Sequence, residues 1–336
     1  MTGSVHGDIF EMYLSKGMKV LDFASNLNPF PPRDLKEKII SSIENSFFYP
    51  QNNYSTLVDT ISSSTGWERE NVVFGNGSIE LIEFFFRMLK RDVAIVQPTF
   101  TEYERFAGIQ GLRVTHLKWD IDEIIHFVRE REPEALVICN PNNPTGEFFR
   151  KHEMLEMSEC CISSETKLMV DQAFMDFVKP HDVHAFQIRS LTKILGVPGL
   201  RFGYGFFPDD YGRLFHETRM PWNVNGIAKA VAEEYLPRLR AISRYVRKRI
   251  SKERDHLKKG LRSLGIASTG KANFLLCHSI HKADEIFRFL EKKGIIIRKC
   301  SDFRGLTDNH FRVAVRKRNE NRTLLKSLEV FVQENS

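Results

Sequence analysis

The sequence predicts an α/β protein: a large domain with a mostly parallel sheet flanked by helices, plus a smaller α+β domain. Three observations carry this. Short apolar, β-rich runs recur through residues 71–207, at NVVFGNG, RDVAIVQPT, PEALVICNPNNP, KLMVDQAF, FQIRSLTK and RFGYGFF. Helix-length intervals separate strands of this kind, and strands spaced by helices form parallel sheets with a helical layer on each face. From about Met220 the texture changes to a long charged helical stretch followed by shorter strand candidates, ANFLLC, GIIIRKC and FRVAVR. The chain then divides into a large domain at residues 41–228 and a small domain made of residues 1–40 and 229–336.

At 336 residues with 42% hydrophobic content, the chain can build a core without disulfides or structural metals. No segment reaches the roughly 20 consecutive apolar residues of a membrane helix. The start, MTGSVHGDIFEMYLSKGMKV, has no basic region leading into an apolar stretch, so a cytoplasmic location is expected. The cysteines, Cys139, Cys160, Cys161, Cys277 and Cys300, are odd in number and lack C-x-x-C spacing, which argues against a disulfide framework and a zinc ribbon. They are expected to be reduced and mostly buried, and no metal site is expected. The net charge of +6 rests on stretches such as RYVRKRISKERDHLKKGLR, where acids are interspersed. That is the pattern of a solvated helix face rather than a nucleic-acid surface, and a basic protein also suits a small anionic substrate.

Taken in order, the N-terminal stretch LDFASNLNPFPP reads as an extended loop too short to fold alone. FGNGSIELIEFFFRMLKR is a strand whose glycines open directly into an amphipathic helix. The free N–H groups of Gly77, Ser78 and Ile79 at such a helix start suit an anion such as phosphate, although glycine at this turn also serves geometry alone. In CNPNNPTGEFF, two prolines stiffen the loop after a buried strand, so Asn143 can be held as a side-chain donor in a concave site. KLMVDQAFMDF delivers Asp171 after apolar residues that read as buried. A buried carboxylate needs a cation or a protonated ring nitrogen, unless it caps a helix. RSLTKILGVPGLRFGY places Ser190, Thr192 and Lys193 at a strand end, with Arg201 eight residues beyond the lysine. A lone lysine is ordinarily a surface residue. Desolvated beside a guanidinium, it becomes a nucleophilic amine able to form a Schiff base.

The strings GNGSIE, NPNNPTG, DQAF and SLTK followed by GLRFGY, in that order, resemble the fold-type-I pyridoxal-phosphate enzymes, in particular the histidinol-phosphate aminotransferase branch. The resemblance spans nearly the whole chain. It implies the fold-type-I transferase fold and pyridoxal 5'-phosphate as cofactor, bound to Lys193, with Asp171 on the pyridine nitrogen, Asn143 on O3' and Phe100 against the ring. The cofactor phosphate is expected on the backbone at Gly77, Ser78 and Ile79, on Ser190 and Thr192, and on Arg201. Tyr49, in FFYPQNNY, is expected to reach it from a neighbouring subunit, so the resemblance implies a homodimer with the active site at the interface. One departure stands out: aminotransferases of this branch carry tyrosine where this chain has Phe174.

The pair His6–Gly7, LDFASNLNP, the phenylalanine after the aspartate, MPWNVN at residues 220–225 and the tail IIIRKC…HFRVAVR are similar to the L-threonine-O-3-phosphate decarboxylases of the same branch. That similarity implies decarboxylation of a phosphorylated amino acid for cobalamin biosynthesis, with histidinol-phosphate transamination as the alternative. It assigns the substrate α-carboxylate to Arg312, the substrate phosphate to Arg298, Arg316 and His6, and further substrate contacts to Asn28 and Asn143. Arg312 and Arg316 are four apart in FRVAVR, which on a continuing strand puts them on one face. Arg298 and Arg316 also admit a reading as surface charges.

Overall fold

The computed structural model describes Tyr13, Gly17 and residues 20–335. Seven strands form the main sheet: β2 (Val72–Asn76), β3 (Asp92–Val96), β4 (Arg113–Leu117), β5 (Ala135–Cys139), β6 (Lys167–Asp171), β7 (Phe186–Ser190) and β8 (Phe202–Phe206), preceded by the two-residue β1 (Leu21–Asp22). Their order is β2-β8-β7-β6-β5-β3-β4. Only β8 runs against its neighbours, pairing antiparallel with β2 and β7, while β7-β6-β5-β3-β4 are parallel. The carboxyl ends of β2, β3, β5, β6 and β7 therefore share one edge, and β8 brings its beginning, with Arg201, to the same edge.

The central strands β3, β5 and β6 are mostly apolar because both faces are covered. Ile95, Val137, Met169 and Ile188 pack in one cluster with Phe85, Phe86 and Tyr103; Val96, Ile138, Leu168 and Val170 pack on the opposite face with Ile124, Val128, Met154 and Met157. The first face is covered by α3 (Ser78–Met88) and α4 (Glu102–Ile109), which follow α1 (Leu35–Ser41) and α2 (Ser55–Thr65); the second is covered by α5 (Ile121–Arg131) and α6 (Lys151–Ser163). The short α7 (Leu191–Leu195) carries Lys193, and α8 (Tyr211–Thr218) and α9 (Gly226–Tyr235) follow β8.

The 25-residue α10 (Leu239–Ser263) leads to an antiparallel sheet in the order β12-β13-β10-β9, built from β9 (Ala267–Thr269), β10 (Phe274–His278), β12 (Arg298–Lys299) and β13 (His310–Ala314). α11 (Ala283–Lys292) and α12 (Arg318–Glu334) cover it. β1 pairs in parallel with β11 (Ile295–Ile296) as a separate two-stranded sheet, so the stretch expected to be loop-like begins as a strand held by the segment that leads into β12. It then reaches the catalytic edge, where the Asn28 N–H donates to the Lys193 carbonyl at 3.1 Å. β4 and β9 were not among the expected strands. Both lie at sheet edges, and the residues of RVTHL are largely solvent-facing, so neither carries the apolar run of a central strand. All five cysteines are free and buried, and no helix among the described residues is long and apolar enough to cross a membrane.

Candidate active site

A cavity of about 1280 Å³ opens at the strand-end edge. It gathers Gly77, Ser78, Ile79, Phe100, Asn143, Asp171, Ser190, Thr192, Lys193, Arg201, Arg298 and Arg312 from segments spread over more than 230 residues. This is the crevice that parallel-sheet topology provides for ligands.

Each wall follows from local sequence. Gly77 has φ +82°, and a Cβ there would run into the Arg201 guanidinium, so glycine is what lets the turn and the arginine coexist. A Cβ on Gly203 would collide with the Ser78 backbone nitrogen, so β8 can lie against the start of α3 only with glycine there. Arg201 itself sits in the left-handed region at φ 56°, an uncommon conformation for any residue with a Cβ and one found at functional sites. The N–H groups of Ser78 and Ile79 open α3 and have no acceptor within the helix. Across from them the Ser190 and Thr192 hydroxyls are buried, 2.8 Å apart. Together these groups make a cradle of donors suited to a phosphate.

Asp171 ends β6 with its carboxylate buried; Oδ1 accepts from the Ala173 N–H at 2.9 Å and Oδ2 from the Tyr103 hydroxyl at 2.6 Å. Burial pushes its carboxyl above the ordinary range, opposed by these two donors and by Lys193. A protonated nitrogen placed against it would hold it ionised. Sequence reasoning does not single out Tyr103. The available signal was its place in PTFTEY, three residues past Phe100 and therefore one helical turn away.

Asn143 is aimed by its neighbours. Asn142 donates to the Pro98 carbonyl at 2.7 Å and to the Thr145 hydroxyl at 2.9 Å, and Asn140 exchanges hydrogen bonds with the Phe149 backbone. Asn143 Oδ1 accepts from Arg312 Nη1, whose Nη2 donates to the Ala24 carbonyl at 2.8 Å. The buried Arg312 Nε has no partner among the described residues.

Burial lowers the Lys193 amine to about 8, with Arg312 and Arg201 adding repulsion and Asp171 and Asp22 opposing it. Its Nζ lies 5.9 Å from the centroid of the Phe174 ring, which itself packs on Phe274. As pH rises through about 8 the amine loses its proton and the neutral nucleophile comes to dominate. Uptake of pyridoxal 5'-phosphate by the apoprotein is therefore expected to rise with a midpoint near pH 8, followed by absorbance. A midpoint above 10, that of an ordinary lysine, would contradict the burial argument.

Three expected residues, Asn28, Arg316 and Tyr49, are not part of this wall. Asn28 is buried, but its side chain donates to the carbonyls of Ile194 at 2.6 Å and Phe30 at 3.1 Å, so it fixes α7 rather than facing the cavity. Arg316 lies past the end of β13 at Ala314, where the two-residue alternation no longer applies; it donates to the Asp22 carbonyl and to Glu320. Tyr49 is 80% exposed and packs on Trp222 with ring centroids 4.8 Å apart, outside its own chain's cavity. His6, with Gly7, lies outside the described residues.

The family model for aminotransferase class I and II matches residues 18–328. The chain belongs to this family. Its cofactor is pyridoxal 5'-phosphate, and the class I and II fold brings together a donor cradle, a buried carboxylate and a depressed lysine that fit this group's phosphate, ring nitrogen and aldehyde. Within the family, the chain is 33% identical to a provisionally named threonine-phosphate decarboxylase of Caldanaerobacter subterraneus subsp. tengcongensis, covering 92% of this chain and 90% of that one. It is 30% identical to a histidinol-phosphate aminotransferase of Pyrococcus furiosus, over 92% and 91% of the two chains. The crystal structure of the histidinol-phosphate aminotransferase from Clostridium acetobutylicum superimposes with a TM-score of 0.85 at 27% identity, covering 94% of this chain and 100% of that chain. These class I and II relatives carry two different reactions by name.

Proposed function

We propose that this enzyme decarboxylates L-threonine O-3-phosphate, or O-phosphoserine, to an amino-alcohol phosphate of the kind used in the cobalamin nucleotide loop. The observation that carries this reading is Phe174 against Lys193, where a phenyl ring stands in place of a tyrosine hydroxyl. The 33% likeness to the Caldanaerobacter protein and the motifs MPWNVN and IIIRKC support it.

In this reading the cofactor phosphate rests on Gly77, Ser78, Ile79, Ser190, Thr192 and Arg201. Asp171, steadied by Tyr103, faces the ring nitrogen; Asn143 holds O3' and Phe100 covers the ring. Lys193 is the point of attachment. When bound, the cofactor supplies an electron-accepting ring that stabilises the electron pair left on Cα by the departing substituent. Arg312 binds the substrate carboxylate and Arg298 its phosphate, and their grip selects the bond that breaks. Lys193 Nζ then holds the proton that replaces CO₂ at Cα. Were the Cα–H bond presented instead, the same amine would remove that proton and transamination would follow, which is the histidinol-phosphate reading favoured by the 30% relative.

The separating experiment compares kcat/KM of the holoenzyme for CO₂ release from O-phospho-L-threonine with that for glutamate formation from histidinol phosphate and 2-oxoglutarate. The proposal expects the first to dominate, and dominance of the second overturns it.

The enzyme is proposed to act as a homodimer. Phe47, Phe48, Tyr49, Met220 and Trp222 are all exposed large apolar side chains, and Tyr49 packs directly on Trp222. Such residues mark an association surface, and a second copy placed there would let Tyr49 serve the neighbouring cofactor phosphate. Phe48→Asp is expected to convert a dimer into a monomer in sedimentation and to speed cofactor loss on dilution. An unchanged dimer would remove this surface from the interface.

A further inference from the structure

Arg298 lies on β12, and its side chain is 11% exposed in the cavity wall. Its Nη2 donates to Asp302 Oδ2 at 2.5 Å, Nη1 donates to the Lys299 carbonyl, and its guanidinium lies 5.2 Å from the Phe303 ring centroid. The protein thus supplies its own carboxylate to an arginine that lines the ligand cavity. Asp302 is 40% exposed, in a neighbouring recess that also includes Gln97, Thr99 and Arg304.

The loop carrying Asp302 does not depend on that ion pair for its position. Phe303 and Cys300 are buried with Leu276, and Arg304 Nη2 pairs with Glu104 Oε1 on α4 at 2.9 Å. A half-exposed pair adds little to stability in any case. Its effect falls on the cavity, where Lys193, Arg201 and Arg312 also converge.

We propose that Asp302 is a stand-in anion, which neutralises Arg298 while the site is empty and yields it to the phosphate of the substrate. This rests on the reading that the cavity receives a phosphorylated amino acid. An incoming group must displace the carboxylate before it can use Arg298, so every anion meets the same penalty. A phosphate monoester, with a charge of about −1.5 to −2 at neutral pH, has the charge to overcome it.

The test is a double-mutant cycle on the holoenzyme with Asp302→Asn and Arg298→Ala, reading KM for O-phospho-L-threonine and inhibition by inorganic phosphate and by acetate. Asp302→Asn is expected to tighten phosphate and acetate alike, by about two- to fivefold, with the larger change on KM than on kcat. In the Arg298→Ala background most of that gain should vanish, which a purely structural role of Asp302 would not produce. If Asp302→Asn weakens phosphate binding or leaves it unchanged while Arg298→Ala weakens it, the stand-in role is overturned and the reading of the cavity survives. If Arg298→Ala changes neither phosphate binding nor KM, both are overturned.

Discussion

Lys193→Ala is expected to lower turnover by about 10²–10⁴-fold, the range lost when a positioned proton-transfer group is removed, and to end covalent retention of the cofactor. Borohydride reduction followed by peptide mass spectrometry should find the cofactor's mass on the Lys193 peptide of the wild type and on no peptide of the variant. The fold should survive. The amine is held to about 8 by desolvation and by Arg312 and Arg201, so its removal relieves a cost rather than creating one. A variant that kept wild-type turnover would show that the chemistry lies elsewhere.

Asp171→Asn is the second large effect. The amide keeps the shape: its oxygen can accept from the Ala173 N–H while its NH₂ donates to the Tyr103 hydroxyl oxygen, but it removes the charge that would pair with a ring nitrogen. Breaking such a buried pair costs roughly 3–5 kcal/mol, or about 10²–10⁴-fold in kcat. Stability should move the other way. Burial raises the Asp171 carboxyl, so at neutral pH its ionised form is the costly one in the empty site, and the neutral amide avoids that cost. The apo variant is therefore expected to melt no lower than apo wild type at pH 7, while its kcat with phosphothreonine collapses. Parallel losses of melting temperature and kcat would instead indicate a structural role.

The parts of this molecule that were legible in the sequence are those encoded locally. DVAIV, ALVIC and KLMV stand out as strands because burial on both faces leaves no polar alternation to confuse them. Lys193, Asp171, Asn143 and the glycine turn were legible for a related reason: each sits at or just beyond the end of a strand or the start of a helix, where chain direction brings it to the ligand edge. Edge strands such as RVTHL are read poorly because one side of them faces water. Long-range placement is read least well. Arg312 and Arg316 share a spacing, yet the strand ends between them and only Arg312 reaches the cavity. Asn28 shares a motif with cavity residues but is used to hold α7. Tyr103 and Asp302 acquire their partners only through tertiary packing and a loop turn, which residue spacing does not encode.

The central claim is that this cavity removes CO₂ from a phosphorylated amino acid rather than exchanging its amine. It is tested most directly by incubating the holoenzyme with O-phospho-L-threonine carrying ¹³C at the carboxyl carbon, with 2-oxoglutarate present. The predicted result is stoichiometric ¹³CO₂ and an amino-alcohol phosphate, with no glutamate formed. Retention of the label in a keto acid, together with glutamate, would contradict it.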